Sequence, residues 1–153
     1  MPYREYSEEE LTAKAERYCA LEEQCIAHVR QKLHIWGATP QTSTRIVQHL
    51  VEEGFIDERR FVRLFCQGKL RIKHWGRNKI AWELRSKGID PTLVEEGLNS
   101  LDDKEYRDVL QRVAQNKYAT LKGDDEYEKH RRLTAFLLGR GFTADEIRSR
   151  SDR

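Results

Sequence analysis

Leu84-Arg85-Ser86-Lys87-Gly88-Ile89-Asp90-Pro91 ends one helix and starts another within a few residues. Glycine at position 88 supplies the left-handed backbone that closes a helix, and the apolar Ile89 can fold back on the last turn. Asp90 then stands where an N-cap is needed, and Pro91 has its φ preset for the first helical position. The punctuation recurs upstream at Leu33-x-x-x-Gly37-Ala38-Thr39-Pro40 and downstream at Leu137-x-x-x-Gly141-Phe142-Thr143-Ala144. The three glycines lie 51 and 53 residues apart, an internal period of the kind that marks a repeat architecture. Joints this short force the helices on either side into contact.

Working outward from the joints, apolar spacing places the helices. The first repeat is expected at 7–54, with helices over 7–22, 23–34 and 40–53, the last carrying Ile46, Val47, Leu50 and Val51 on one face. The second, 57–100, takes helices over 58–73, 77–86 and 91–99. Phe61, Leu64, Phe65, Gly68 and Ile72 form the expected core face of its first helix, Ile80, Ala81 and Leu84 that of its second, and Leu93, Val94 and Leu98 that of its third. Gly76 is expected to break the chain between its first two helices, and Asp57 to cap the first. The third repeat, 102–150, takes helices over 103–120, 125–138 and 144–150, with Tyr106, Val109, Leu110, Val113, Leu133, Phe136 and Leu137 turned inward. No segment shows strand alternation over a useful length. The predicted fold is all-α, an elongated array of three tandem three-helix repeats with about nine helices and no β-sheet.

Composition agrees. The 153 residues are 38% hydrophobic and 35% charged, with three prolines and nine glycines. The core is thin and the punctuation too sparse for a turn-rich β fold. Cys19, Cys25 and Cys66 make an odd count without a C-x-x-C pair, which points to reduced thiols. Cys66 falls off the expected core stripe and is read as a partly buried thiol. No apolar run approaches membrane-spanning length, and the acidic start of the chain lacks the apolar stretch of a secretory signal. These features predict a cytoplasmic protein.

Charge is distributed very unevenly. Between Arg59 and Lys87 stand ten basic residues (Arg59, Arg60, Arg63, Lys69, Arg71, Lys73, Arg77, Lys79, Arg85, Lys87) against one acid, Glu83, in a chain whose net charge is only +2. Ordinary solvated helices place acids four residues from their bases, and here the acids are missing. Such a stretch is the usual footprint of a surface that meets phosphates or an acidic protein. Between those two partners the charge pattern does not choose.

The aromatic residues interleaved with these charges read differently. The spacing of Phe61, Leu64 and Phe65 favours core packing over base stacking. Trp82 points off the apolar face of its helix, and it and Trp75 fit either inter-repeat packing or exposed anchors beside arginine. A smaller basic cluster, His130, Arg131, Arg132 and Arg140, fits a second contact or an exposed helix end.

Catalytic and metal chemistry find no support. His28, His34, His49, His74 and His130 form no ligand set; His49 and Glu52 are one turn apart, but zinc needs more ligands than two. Cys66 has no positioned base beside it, and no phosphate-cradling glycine loop occurs. No cofactor, metal or enzymatic activity is expected.

Three segments carry a resemblance. Gly54-Phe55-Ile56-Asp57-Glu58-Arg59-Arg60-Phe61-Val62, then Trp75-Gly76-Arg77-Asn78-Lys79-Ile80-x-x-Glu83-Leu84-x-x-Lys87-Gly88-Ile89, and finally Leu133-x-x-Phe136-Leu137-Leu138-x-Arg140-Gly141-Phe142, resemble the signature of the bacterial RecX regulatory proteins. The likeness runs from about Leu21 to the C-terminus and keeps the order and spacing of all three repeats. One departure is His74-Trp75 before Gly76, where small residues are common in the family. The resemblance implies a non-enzymatic modulator, most often an inhibitor, of RecA, the recombinase that polymerises on single-stranded DNA in recombination, DNA repair and the SOS response. Such proteins bind along the filament groove and suppress ATPase, strand-exchange and co-protease activities. On this reading Arg63, Lys69, Arg71, Lys73, Arg77, Lys79, Arg85 and Lys87, with Arg131, Arg132 and Arg140, contact the filament or its nucleic acid, single- or double-stranded, and the chain acts as a monomer. The alternative is a helical DNA-binding module without filament specificity, since short-turn helix pairs also fit the major groove.

Overall fold

A computed structural model describes residues 5–150. In chain order the helices are α1 (Glu8–Leu21), α2 (Ile26–Ile35), α3 (Pro40–Glu52), α4 (Glu58–Gly68), α5 (Arg77–Ser86), α6 (Pro91–Asn99), α7 (Asp103–Thr120), α8 (Glu126–Gly139) and α9 (Ala144–Arg150), with a π-helical turn, Lys69–Lys73, continuing α4. The described residues contain no strand. The all-α fold of three-helix repeats is as the sequence predicts.

The joints work as their residues dictate. Gly37, Gly88 and Gly141 take φ of 92°, 75° and 100°. At Gly37 and Gly141 the next residue's N–H bonds five residues back, Ala38 to the Leu33 carbonyl and Phe142 to the Leu137 carbonyl, the paired closure of a glycine-terminated helix. Thr39, Asp90 and Thr143 cap the following helices, their side chains accepting from the N–H groups of Thr42, Thr92 and Glu146. Asp57 caps α4 through the Arg60 N–H.

The chain forms two compact units. One ends at Phe61 and takes in Lys87–Ile89; the other runs Val62–Ser86 and resumes at Asp90. The first unit packs α1, α2 and α3 around Leu11, Ala15, Val29, Leu33, Ile46, Val47, Leu50 and Ile56. Its α2 starts at Ile26 and not at 23, because Glu22–Cys25 offers no local cap. Ile26 N–H instead bonds the Glu58 carboxylate, 32 residues away, at 3.0 Å.

The second unit holds the rest of the second repeat and the third. Val94 and Gly97 of α6, Ile80, Ala81 and Leu84 of α5, and Tyr106, Val109, Leu110, Val113, Leu133, Leu137, Phe142 and Ile147 are buried. Two sequence expectations need correcting here. The buried face of α4 and its π-helical turn is Phe61, Val62, Cys66 and Leu70, while Leu64 and Ile72 are exposed. Gly97 decides this, since a methyl group there would press on Val62 Cγ1 and lie 3.3 Å from Cys66 Sγ. The π-helical turn then shifts register, so an unbroken 3.6-residue count carries the stripe to the wrong side. Cys66 is therefore fully buried, and burial pushes its thiol pKa up to about 11.

The break before α5 is made at His74 and not at Gly76. His74, with φ 57° and ψ 44°, makes the left-handed turn and is the one non-glycine residue with positive φ among those described. Gly76 serves a different purpose, because a Cβ there would lie 2.6 Å from the Gly141 carbonyl oxygen. Only glycine lets the turn before α5 meet the turn after α8.

Candidate nucleic-acid interface

The contact between those two turns organises the surface of the second unit. Gly76 and Asn78 donate their N–H groups to the carbonyls of Arg140 and Gly141 at 2.8 and 2.9 Å. The α8–α9 turn thus satisfies backbone donors at the start of α5, which would otherwise be orphaned. Gly141 is needed from the other side, as a Cβ there would lie 2.6 Å from Lys79 N.

Beside this joint lies a polar network that absorbs one predicted binding residue. Arg77 donates its backbone N–H to Tyr106 Oη at 3.0 Å, and Nη1 to Glu146 Oε2 at 2.9 Å. Its guanidinium carbon lies 3.8 Å from the Tyr106 ring centroid. Tyr106 Oη in turn donates to Glu146 Oε1 at 2.8 Å, and burial raises the phenol's pKa. Arg77 is thus held within the fold.

Other predicted residues also find internal partners. Arg71 is exposed but pairs with Glu105 of α7 at 3.0 Å. Arg131 pairs with Glu128 at 2.5 Å and holds that carboxyl below the usual range. Arg132 donates to the Lys122 carbonyl at 2.9 Å. His130 lies against the Tyr118 ring and 3.9 Å from Glu126. Within the smaller basic cluster, then, Arg131 is paired with an acid and Arg132 is tied to a backbone carbonyl. Lys87 belongs to the first unit, where its charge, after burial, helps lower the pKa of His28. His49 bonds Glu16 at 2.9 Å rather than Glu52, and no three His, Cys, Asp or Glu side chains converge on a metal-sized site among the described residues.

The residues left to face outward define the candidate interface. Arg63, Lys73 and Arg85 are exposed, and none has a carboxylate within ion-pair distance among the described residues. Trp82 is 65% exposed, one turn from Asn78 and Arg85 on the outer face of α5. Lys69 and Lys79 rest on Trp75, with Nζ 5.0 and 4.8 Å from the ring centroid, and Lys69 also reaches Phe65. Trp75 is half-buried. Arg140 Nη1 bonds the Lys73 carbonyl at 3.0 Å and its guanidinium lies over Phe136, where Lys117 also sits. Lys117 escapes a sequence reading because nothing local ties it to Phe136, 19 residues on.

Residues 57–98 match the model of the second three-helix domain of RecX, and residues 104–149 that of the third. The regulatory protein RecX of Prosthecochloris aestuarii is 31% identical over 137 residues, covering 88% of this chain and 87% of the relative. The chain belongs to the RecX family. Within it, the Clostridium tetani regulatory protein RecX is 34% identical over 79% of this chain, which spans 56% of that relative's length. The fold agrees with the crystal structure of RecX from Lactobacillus salivarius at a TM-score of 0.85 and 19% identity, over 95% of this chain and 94% of that one. No described helix is long and apolar enough to cross a membrane.

Proposed function

We propose that this protein is a non-enzymatic modulator of the RecA recombinase, binding in the groove of the RecA–single-stranded DNA filament in the cytoplasm and suppressing its ATPase, strand-exchange and co-protease activities. One observation carries the reading: in a member of a regulatory-protein family, the second repeat exposes Arg63, Lys73 and Arg85 without acidic partners among the described residues, with exposed Trp82 one turn from Arg85. A large aromatic next to arginine is the common make-up of a protein-binding hot spot, and uncompensated cations suit the phosphates and acids of a nucleoprotein groove.

The three repeats, 7–54, 57–100 and 102–150, would act together on a monomer. Contacts to several recombinase protomers at once give avidity that a single contact lacks. No step of this action needs a bond made or broken by the protein.

The test is ATP hydrolysis by the cognate RecA on single-stranded DNA as the protein is titrated in. Inhibition at substoichiometric protein is expected. Unchanged hydrolysis together with tight binding to bare duplex would instead support a DNA-binding module without filament specificity.

A further inference from the structure

The outward cations of the second unit do not stop at the second repeat. Lys69 and Lys79 share the Trp75 ring. One residue on, Gly76 N–H meets the Arg140 carbonyl, while the Arg140 side chain bonds the carbonyl of Lys73. Arg140 lies 5.1 Å from the Phe136 ring centroid, and Lys117 Nζ, from the last turn of α7, lies 4.6 Å from it. Lys69, Lys79, Arg140 and Lys117 thus form a row, linked by the Trp75 ring, the Gly76–Arg140 backbone contact and the Phe136 ring. Exposed Lys73 joins it at Arg140, through its carbonyl. None of the five has a carboxylate partner within ion-pair distance among the described residues. Elsewhere in the same unit Arg71, Arg77 and Arg131 all have one.

We infer that this row, running from Lys69 and Lys79 through Lys73 and Arg140 to Lys117, is a contact track for the phosphates of a single nucleic-acid strand. The inference rests on the reading above and deepens it, since it assigns the third repeat to the strand and not to the recombinase. Three features favour a phosphodiester. Five cations gathered without ion-paired acids repel one another until anions neutralise them, and a linear polyanion can meet several at once. Resting on rings, Lys69, Lys79 and Lys117 are held in place, so less freedom is lost when a phosphate arrives. A continuous run of cations that tracks the backbone is the electrostatic part of surfaces that follow a single strand without reading its sequence.

The experiment is fluorescence anisotropy of labelled oligothymidylate with the full chain over a range of salt concentrations, run beside the ATPase assay. Lys73→Gln removes an exposed member and Lys117→Gln the far end. Arg112→Gln is the control, since Arg112 is exposed on α7 and takes no part in the row. Thermal melting reports whether each variant folds. Binding to single strands weakens with a log–log salt slope of about −0.7 per phosphate neutralised. Lys73→Gln and Lys117→Gln should each flatten the slope by about that amount, and Arg112→Gln should leave it unchanged. Equal slopes for all four proteins, or no binding of oligothymidylate at low salt, overturn the track. If either holds while the chain still inhibits ATP hydrolysis, the filament reading stands without it. Slopes that respond as expected in a chain that never inhibits uphold the track and remove the filament reading. Loss of inhibition by Lys117→Gln with its slope unchanged would assign Lys117 to a protein contact and overturn the inference.

Discussion

Arg77 shows how a basic residue can be claimed by the fold. It lies in the most basic stretch of the chain, yet its backbone N–H goes to Tyr106 and its guanidinium to Glu146. The Tyr106 hydroxyl accepts one of these hydrogen bonds and donates another, to Glu146, while its ring packs edge-on against Phe142 at 5.7 Å. Tyr106→Phe should therefore keep the ring packing and lose about 1–3 kcal/mol, the usual cost of leaving buried polar groups unpaired. In urea this should appear as a lower midpoint with an unchanged m value. Oligonucleotide affinity should stay the same in the folded variant, because Arg77 faces inward.

At the scale of the element, Gly97 sets which side of α4 is core. An alanine there would gain helix propensity in α6, worth up to about 1 kcal/mol. It would also force the new methyl onto Val62 and Cys66, and overpacking of a close helix contact costs about 1–3 kcal/mol. Gly97→Ala should lower the melting temperature, and Val62→Ala added to it should recover much of the loss. The pair would gain nothing if α6 could simply slide away.

This contact also marks where the sequence stops being legible. The joints can be read because glycine, cap and proline act locally, and their residues name their own conformations. The α4 face cannot, because it depends on a glycine some thirty residues away and on a π-helical turn that an unbroken period does not show. The candidate site divides the same way. The basic stretch stands out as a run of one sign, but which of its cations stay open depends on acids outside it. Glu105 takes Arg71 and Glu146 takes Arg77, each from a helix of the third repeat. Trp82, undecided from spacing alone, is exposed.

For the molecule as a whole, the open cations of the second repeat are proposed to meet a RecA filament. Arg63 and Arg85 test it better than Arg71, since reversing Arg71 would set two carboxylates together at Glu105. Preformed RecA filaments on single-stranded DNA, with bound nucleotide, are pelleted with the wild-type chain and with Arg63→Glu/Arg85→Glu. The wild-type chain should pellet with the filament, while the double variant, with an unchanged melting temperature, should stay mostly in the supernatant. A folded double variant that pellets as fully as the wild type would contradict the proposal.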